Sequence, residues 1–378
     1  MNIKNKFFFS AAAALCGLFL SACTCTADEA AKKELVDFVP DAKNCLDVEF
    51  RELPANFETL LKTAPERWHF GFRPYGKSAS QLWTDPIVQR DALTGEDTEK
   101  SVCAITVYCS EKGFDLLIFT SEPGFKKALE EGKNLPAGTS ECFFTPGDAD
   151  TSKIEHYYQF ISNNINPKIN CYPWMMEDRT FRSIEDFITA ETRILPNGYL
   201  KRYHIPWDPL FDRLPFAKKR DNFWRLSVIT NRQTWGGTVH QANQAGYIRW
   251  PDFTPAQKTA MRKHVLLRGW NAYREAVNSI DLNLSRPFER NEAYFKEQFA
   301  HLPHSFKMYG EDFGFRRAYL EKAVADRDAL GKTILAFETL SEKEQEEFYA
   351  KASDMLFNFR YDVEEGYRKY MKSLIFKR

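Results

Sequence analysis

The chain is 378 residues long, which is enough for one large domain with a smaller one beside it. Its 52 basic and 52 acidic residues cancel, so it lacks the positive footprint that a nucleic-acid-binding protein carries. Aromatic residues make up 15% of the chain, which predicts an aromatic core and leaves a surplus for a binding surface.

The N-terminus has the pattern of an export signal. Lys4 and Lys6 precede an apolar run at residues 7–20, which is shorter than the roughly 20 residues that span a bilayer. Residues 20–23 (LSAC) match a lipoprotein cleavage box, so we expect residues 1–22 to be removed and Cys23 to carry a lipid. The alternative is an ordinary secretory signal with a chance cysteine. Lipidation would place the protein in a bacterial cell envelope, periplasmic or surface-exposed.

The next segment, residues 23–40, is small and charged and predicts a flexible tether. Beyond Cys23, a disulfide is feasible outside the cytoplasm, but the sequence does not determine a connectivity. Cys103 and Cys109 lie six residues apart in one strand-like run, too far apart to bridge each other. The other cysteines left after cleavage are Cys25, Cys45, Cys142 and Cys171.

Residues 71–78 (GFRPYGKS) formally fit the phosphate-loop pattern GxxxxGK[ST]. That chemistry needs a buried strand before the loop and a helix after it, so that backbone amides can hold phosphate. The preceding residues, ERWHF, are too polar for such a strand, and Pro74 removes an amide from the loop. We therefore interpret the match as coincidence.

Short strands with turns between them are predicted along residues 41–253. The clearest is a hairpin over residues 101–120, and two runs at 199–205 and 223–232 alternate apolar with polar residues. This pattern predicts an antiparallel β-sandwich. Further predicted strands are an incoming edge strand at 46–50, a possible strand at 68–72, two strands at 140–150 and 156–164, and another pair at 168–176 and 187–194.

The order of these pieces over residues 101–250 resembles the family 9 carbohydrate-binding modules and the related DOMON-type sandwiches. The pieces that carry the resemblance are VCAITVYCSEKGFDLLIFTSEP, ECFFTPGD, YYQFISN, FITAETRILPNGYLKRYHIPWDPL and FWRLSVITNR. The resemblance implies a carbohydrate-binding sandwich. It also implies a tryptophan-containing turn before Glu141, where this chain instead has LPAGTS at residues 135–140.

Tryptophan and arginine side chains near the strand ends are the candidate sugar-binding residues, because indole rings stack on sugar faces and guanidinium groups bond hydroxyls. Trp235 precedes a Gly-Gly loop and is the leading surface candidate, with Asn231, Gln233 and Gln241 nearby. The alternatives are core positions for the rings, as expected for Trp224, and a solvated sheet face for the arginines. The predicted carbohydrate-binding residues are Trp174, Trp207, Arg225, Arg232 and Trp235, with Trp250 a further ring.

No cofactor is predicted. Asp148 and Asp150 follow Gly147 and could bind calcium, but two acids in a turn are more often only a turn. The pair His301 and His304 is interrupted by a proline, and a haem held by His240 with Met175 or Met176 has nothing to select it.

A helical region is predicted over residues 254–378. Thr254 with Gln257 forms a capping box, and Leu266, Trp270 and Tyr273 begin an apolar stripe. Ser341 with Glu344 caps a long last helix. Further stripes run through Phe288, Phe295 and Phe299, through Phe315, Tyr319 and Ala323, and through Phe348, Ala352, Met355, Phe359, Val363, Tyr367, Tyr370 and Leu374.

Two functions fit these patterns. The first is a lipid-anchored protein that binds a glycan or polysaccharide without transforming it. The alternative is a polysaccharide-active enzyme of the glycoside hydrolase type, which would require two carboxylates about 5 to 10 Å apart in one cleft. The sequence has no recognisable catalytic motif, which favours the first.

Overall fold

The computed structural model describes residues 45–74, 92, 93, 95, 99–133, 135, 138–147, 157–163, 169–174, 187–216, 223–237, 240, 241, 244–284 and 313–357. Its strands are β1 (Cys45–Asp47), β2 (Glu49–Phe50), β3 (Arg73–Pro74), β4 (Val102–Ser110), β5 (Gly113–Ser121), β6 (Thr139–Thr145), β7 (Tyr157–Asn163), β8 (Ile169–Trp174), β9 (Thr189–Leu195), β10 (Gly198–Pro206), β11 (Phe223–Thr230), β12 (Gln233–Trp235) and β13 (Gly246–Arg249).

The strands form two sheets. The first sheet has the order β1-β13-β11-β6-β7-β8, with β12 paired to β11 and β3 paired to β12. The second sheet has the order β2-β4-β5-β10-β9. Most pairs are antiparallel, and only the two incoming strands, β1 on β13 and β2 on β4, are parallel. Among the described residues, the region before residue 254 is therefore rich in strands, as the alternation predicts.

The inner faces of the two sheets share one apolar core. Alternation along β11 sends Trp224, Leu226 and Val228 inward, and all three are at most 3% exposed. Phe114 of the second sheet lies 5.9 Å from Phe144 and 5.8 Å from Trp224 of the first, centroid to centroid. These edge-on ring contacts add to the stabilisation that burial alone gives.

A polar layer interrupts this core near one end. Lys201 on β10 is 1% exposed, and its Nζ donates to the carbonyl oxygen and the hydroxyl of Ser162 at 3.1 and 2.9 Å. The hydroxyl of Tyr203 donates to the Ser140 carbonyl oxygen and lies 2.7 Å from the Ser162 hydroxyl. Burial lowers the pKa of Lys201 to about 8, because the ammonium is removed from water.

The incoming chain crosses from one sheet to the other within six residues. β1 lies at the edge of the first sheet and β2 at the edge of the second, and Val48 between them is buried. The predicted single strand at 46–50 is thus two short strands. The outer face of the second sheet is covered by residues 53–68, which include the short helix α1 (Thr59–Thr63) and bury Phe57, Leu60 and Trp68.

The helical region contains α3 (Pro255–Leu284), α4 (Phe313–Leu335) and α5 (residues 342–357), and α2 (Phe125–Glu130) lies between β5 and β6. Both predicted capping boxes are present: Thr254 N donates to Gln257 Oε1 at 2.9 Å, and Ser341 N donates to Glu344 Oε2 at 2.8 Å. The predicted helical C-terminal region is therefore confirmed. The stripe residues 288–299 and 359–374 lie outside the described residues.

The helices pack tightly on each other and on the sheets. A Cβ added at Gly331 of α4 would lie 2.6 Å from the Trp270 ring of α3. Phe211, after β10, stacks on Phe357 of α5 with ring centroids 4.7 Å apart, and its carbonyl oxygen accepts a hydrogen bond from Tyr349 Oη at 2.7 Å. The boundary predicted between residues 253 and 254 stays a prediction.

The structure also bears on the predicted hairpin, on a predicted strand pair, on the phosphate-loop match and on the cysteines. The hairpin is confirmed as β4 and β5, but β8 pairs with β7 and β9 with β10, so the pairing of residues 168–176 with 187–194 was wrong. Within the phosphate-loop match, Arg73 and Pro74 form a strand against β12, and residues 75–78 lie outside the described residues. Cys103 and Cys109 are both free, as are Cys45 and Cys142. No described helix is long and apolar enough to cross a membrane.

Candidate functional site

Two of the predicted sugar-stacking rings are in the core. Trp207 and Trp235 are both 0% exposed. Trp207 donates from Nε1 to the Ser110 carbonyl oxygen at 2.9 Å, and Trp235 donates from Nε1 to His69 Nδ1 at 2.8 Å. Their assignment as surface platforms is therefore corrected: the alternation of β12 turns Trp235 inward opposite Val228, and buried indole groups need the partners that they have found.

The remaining tryptophans and the two arginines do not share one environment. Trp250 is 3% exposed and is also core, as is Trp224. Trp174 ends β8 at the register position opposite Tyr157. Arg225 is half-buried, with its Cζ 3.9 Å from the Tyr247 ring centroid and its Nη1 donating to the Ala245 carbonyl oxygen at 3.0 Å. Arg225 is thus engaged within the protein, whereas Arg232 is exposed.

The outer face of the first sheet carries the polar and aromatic side chains that alternate with its core residues. On β6 these are Glu141 and Phe143, and on β7 they are Tyr157 and Gln159. Phe143 and Tyr157 form a small buried cluster, with Ile229 of β11 packed against it. Tyr172 on β8 is paired with Gln159 and is 45% exposed, so the face presents an accessible ring beside polar groups.

A cavity of about 970 Å³ opens at the end of this face, where β11 turns into β12. The second sheet contributes to it through residues at the start of β4 and the end of β5, so the cavity bridges the ends of both sheets. Its described lining is mainly polar and includes Ser101, Glu122, Gly138, Thr139, Glu141, Ile229, Asn231, Arg232, Gln233 and His240. Three residues that the sequence placed together, Asn231, Arg232 and Gln233, therefore share one site.

The β11–β12 turn projects two of these residues into the cavity in a restricted conformation. Asn231 has a φ of 49° and Arg232 a φ of 58°. Positive φ at both central residues is what a type I′ hairpin turn requires, and asparagine is favoured at such positions. Arginine in the left-handed region is uncommon and costs on the order of 1–2 kcal/mol. Such an unfavourable residue is typical of sites where a side chain has a function.

The two carboxylates of the cavity differ in their surroundings. Burial raises the pKa of Glu122, and the nearby Arg232 opposes this rise to a smaller extent. Glu141 accepts a hydrogen bond from Gln159 Nε2 at 3.2 Å. Among the described residues, neither the Glu122 carboxylate nor the Arg232 guanidinium makes a hydrogen bond or a close ion pair, and Asn231 Nδ2 is buried without an acceptor.

An imidazole closes one side of the cavity. His240 Nδ1 lies 2.8 Å from the hydroxyl of Tyr157, and its ring is 4.7 Å from that of Phe143. His240 also has a positive φ, 59°, and remains exposed. It thus covers the Phe143 and Tyr157 cluster with a polar group that still faces solvent.

No metal-binding group emerges from the described side chains: none of their clusters contains three or more His, Cys, Asp or Glu residues suited to a metal ion. Asp148 and Asp150, which the sequence analysis weighed as calcium ligands and interpreted as a turn, lie outside the described residues, as do His301, His304, Met175 and Met176. His240 is described, and its ring bonds Tyr157.

The sequence missed several cavity residues. Glu122 directly follows β5 of the second sheet and Glu141 lies near the start of β6 of the first, so only the packing of the two sheets brings them to one cavity. A usable signal was the alternation of β6, where Glu141 and Phe143 face away from Cys142 and Phe144. Tyr172 could have been found in the same way from its place on β8.

Comparisons with known proteins give limited likeness. No protein-family model matches the chain, and no curated protein matches it. A family 9 carbohydrate binding module from Caldicellulosiruptor kristjanssonii in complex with cellotriose is 11% identical with a TM-score of 0.35, and covers 56% of this chain and 95% of that one. The complex of a family 9 module from the same organism with glucose is 14% identical with a TM-score of 0.28. The match covers 48% of this chain and 95% of that one.

Proposed function

We propose that this protein is a lipid-anchored, extracytoplasmic glycan-binding protein, and that its two sheets form a sandwich of the family 9 type. The observation that carries the proposal is the cavity of about 970 Å³ with Glu122, Asn231 and Arg232 in its lining. These side chains have donors or acceptors without partners among the described residues. A sugar offers many hydroxyl groups, which can both donate to and accept from such side chains.

Tyr172 supplies the apolar half of the site. Sugars have apolar C–H faces as well as hydroxyls, and the exposed Tyr172 ring lies on the same sheet face as the Gln159 and Glu141 pair. It takes the role that the sequence assigned to Trp235. A long glycan bound in the cavity would extend across this face of the first sheet toward β8.

Titration calorimetry of the mature protein against a polysaccharide panel tests the binding. Tyr172→Ala should weaken binding by about 5- to 150-fold, since loss of one stacking ring costs roughly 1–3 kcal/mol on other flat ligands. Ile194→Ala is the matched control, because Ile194 is also exposed, at 55%, but lies on β9 of the second sheet. Equal affinity of wild type and Tyr172→Ala, or no binding to any glycan, would reject the proposal.

Anchoring is tested separately from binding. Cys23→Ser should abolish incorporation of a labelled fatty acid and release the protein from membranes, whereas Cys25→Ser should change neither. Labelling that persists in Cys23→Ser would show that Cys23 is not the lipid attachment site.

A second candidate function is glycoside hydrolysis, because Glu122 and Glu141 line the same cavity. A carboxylic acid of raised pKa beside an ionised carboxylate is the arrangement that such enzymes use. Hydrolysis requires that incubation with a bound polysaccharide releases reducing ends, and that Glu122→Gln and Glu141→Gln each abolish the release without abolishing binding. Binding without release would leave the non-catalytic function.

A further inference from the structure

The charges that line the cavity do not balance. The lining contains the carboxylates of Glu122 and Glu141, and Arg232 is the one arginine or lysine among the lining residues that the structure describes. His240 also lines the cavity, and its ring already bonds Tyr157. Among the described lining residues, two carboxylates therefore stand against one guanidinium.

The Glu122 carboxylate is the less compensated of the two. It is half-buried, it accepts no hydrogen bond from a described residue, and the attraction of Arg232 does not offset the cost of its burial. A positively charged group bound beside it would restore the favourable electrostatic environment that the carboxylate lost when it left water.

The remaining partners indicate what kind of cation would fit. A bare metal ion would need several converging acidic or histidine ligands, and the described side chains supply no such group. Asn231 Nδ2 is instead a donor without an acceptor at the same cavity, so the ligand should present an oxygen close to its positive charge. A protonated amine next to a hydroxyl on one sugar ring meets both needs.

We propose that the cavity selects a glycan that carries free amines, such as a glucosamine oligomer, over neutral and over anionic sugars. The ammonium group binds Glu122, with Glu141 as the second carboxylate within the lining, and a neighbouring hydroxyl accepts from Asn231. Arg232 disfavours the ammonium and therefore limits the affinity. This inference rests on the proposed glycan binding, because it names the substrate class of the same site.

The test compares three ligands of equal length by titration calorimetry at mildly acidic pH: a glucosamine trimer, its N-acetylated form, and cellotriose. Wild type should bind the glucosamine trimer about 2- to 5-fold more tightly than the other two, the range expected for a partly exposed ion pair. Glu122→Gln should abolish this preference, so that this variant binds the glucosamine trimer and cellotriose with equal affinity. Glu52→Gln, which removes an exposed acid near the second sheet, should leave the preference unchanged.

Arg232→Gln should change the preference for the glucosamine trimer in the opposite direction. Removal of the cavity's arginine should increase the preference for the glucosamine trimer, and raised salt should weaken that preference in wild type. Equal binding of all three trimers, or a preference that survives Glu122→Gln, would overturn the amine selectivity and leave glycan binding standing. Binding of none of the three, nor of any panel polysaccharide, would overturn both proposals.

Discussion

Arg232 illustrates how one residue can favour function over stability. Its backbone has a φ of 58°, in the left-handed region where glycine is far more favourable than arginine. Its guanidinium makes no hydrogen bond or close ion pair with a described residue that would offset this cost. The turn therefore has a conformational cost that no contact of the Arg232 guanidinium with a described residue offsets.

Replacement of Arg232 by glycine should raise stability and weaken glycan binding at once. The relief of the left-handed conformation is expected to add about 1 kcal/mol to the free energy of unfolding. Thermal or denaturant unfolding, run beside calorimetry with glycan, measures both effects. Asn231→Gly is the control for the turn itself, because asparagine tolerates positive φ and its replacement should change stability much less. A less stable Arg232→Gly variant would show that the arginine supports the turn.

Lys201 should make stability depend on pH in the alkaline range. Its pKa is lowered from 10.5 to about 8 in the folded protein, so between these values the unfolded chain binds more protons than the folded one. The penalty is therefore fully present below about pH 8 and is relieved as the pH rises toward 10.5. Lys201→Met should stabilise the protein at neutral pH by on the order of 2–3 kcal/mol, and the gain should shrink with rising pH.

Chemical unfolding of wild type and Lys201→Met across this pH range measures the difference. Lys343→Met is the matched control, since Lys343 is 85% exposed and its removal should give no comparable pH dependence. A constant difference between wild type and Lys201→Met at all pH values would contradict the linkage. A loss of stability in Lys201→Met at neutral pH would show that the bonds to Ser162 outweigh the burial of charge.

At the scale of elements, the close contact of α3 with α4 depends on Gly331 of α4, which has no side chain. Alanine is a better helix former than glycine by about 1 kcal/mol, so Gly331→Ala would stabilise a free helix. A Cβ at this position would instead meet the Trp270 ring at 2.6 Å, and Trp270 is held by a hydrogen bond from Nε1 to the Arg327 carbonyl oxygen. We expect Gly331→Ala to lower the free energy of unfolding by about 1–3 kcal/mol. A measured gain would show that the ring moves aside.

The same scale shows what the sequence could and could not predict. Alternation determined the faces of β10 and β11 correctly, because side-chain direction in a strand depends only on local backbone geometry. Capping was equally local, and both Thr254 and Ser341 were identified. Strand pairing is not local: β8 and β9 were assigned to each other, yet β8 lies in the first sheet and β9 in the second. The sequence could not predict the cavity for the same reason, since Glu122 follows β5 and Glu141 lies in β6, and these two strands belong to different sheets.

Trp235 shows a further limit of sequence reasoning. A tryptophan before two glycines resembles a loop residue, and Gly236 and Gly237 do have positive φ. What the pattern does not reveal is that β12 pairs with β11 in a register that places Trp235 opposite Val228. Val228 faces the core, so Trp235 does too. The position of a side chain at a strand end thus follows from the partner strand, which only the fold supplies.

At the scale of the whole molecule, helices and sheets should unfold together. Val265 and Leu266 of α3 belong to the same apolar cluster as Trp224 and Phe114 of the two sheets. Calorimetry of the mature protein should therefore show one main transition whose calorimetric and van't Hoff enthalpies agree. Two well-separated transitions would show that the region before residue 254 and the helical region are independent domains.

The buried thiols can serve as chemical probes of local unfolding in the sheets. Cys103, Cys109 and Cys142 are at most 2% exposed and unbridged, and burial raises the pKa of each thiol, so none reacts while the sheets stay packed. Their alkylation rate should equal the rate of thiolate attack multiplied by the open fraction, which converts labelling kinetics into local free energies. A bound glycan should slow Cys142, on the strand that carries Glu141, and a thiol that reacts as fast as a free cysteine would mean that the core around it is loose. In an oxidising compartment, the fraction of molecules in which these thiols are exposed would also determine how often a newly secreted chain forms a wrong disulfide before it folds.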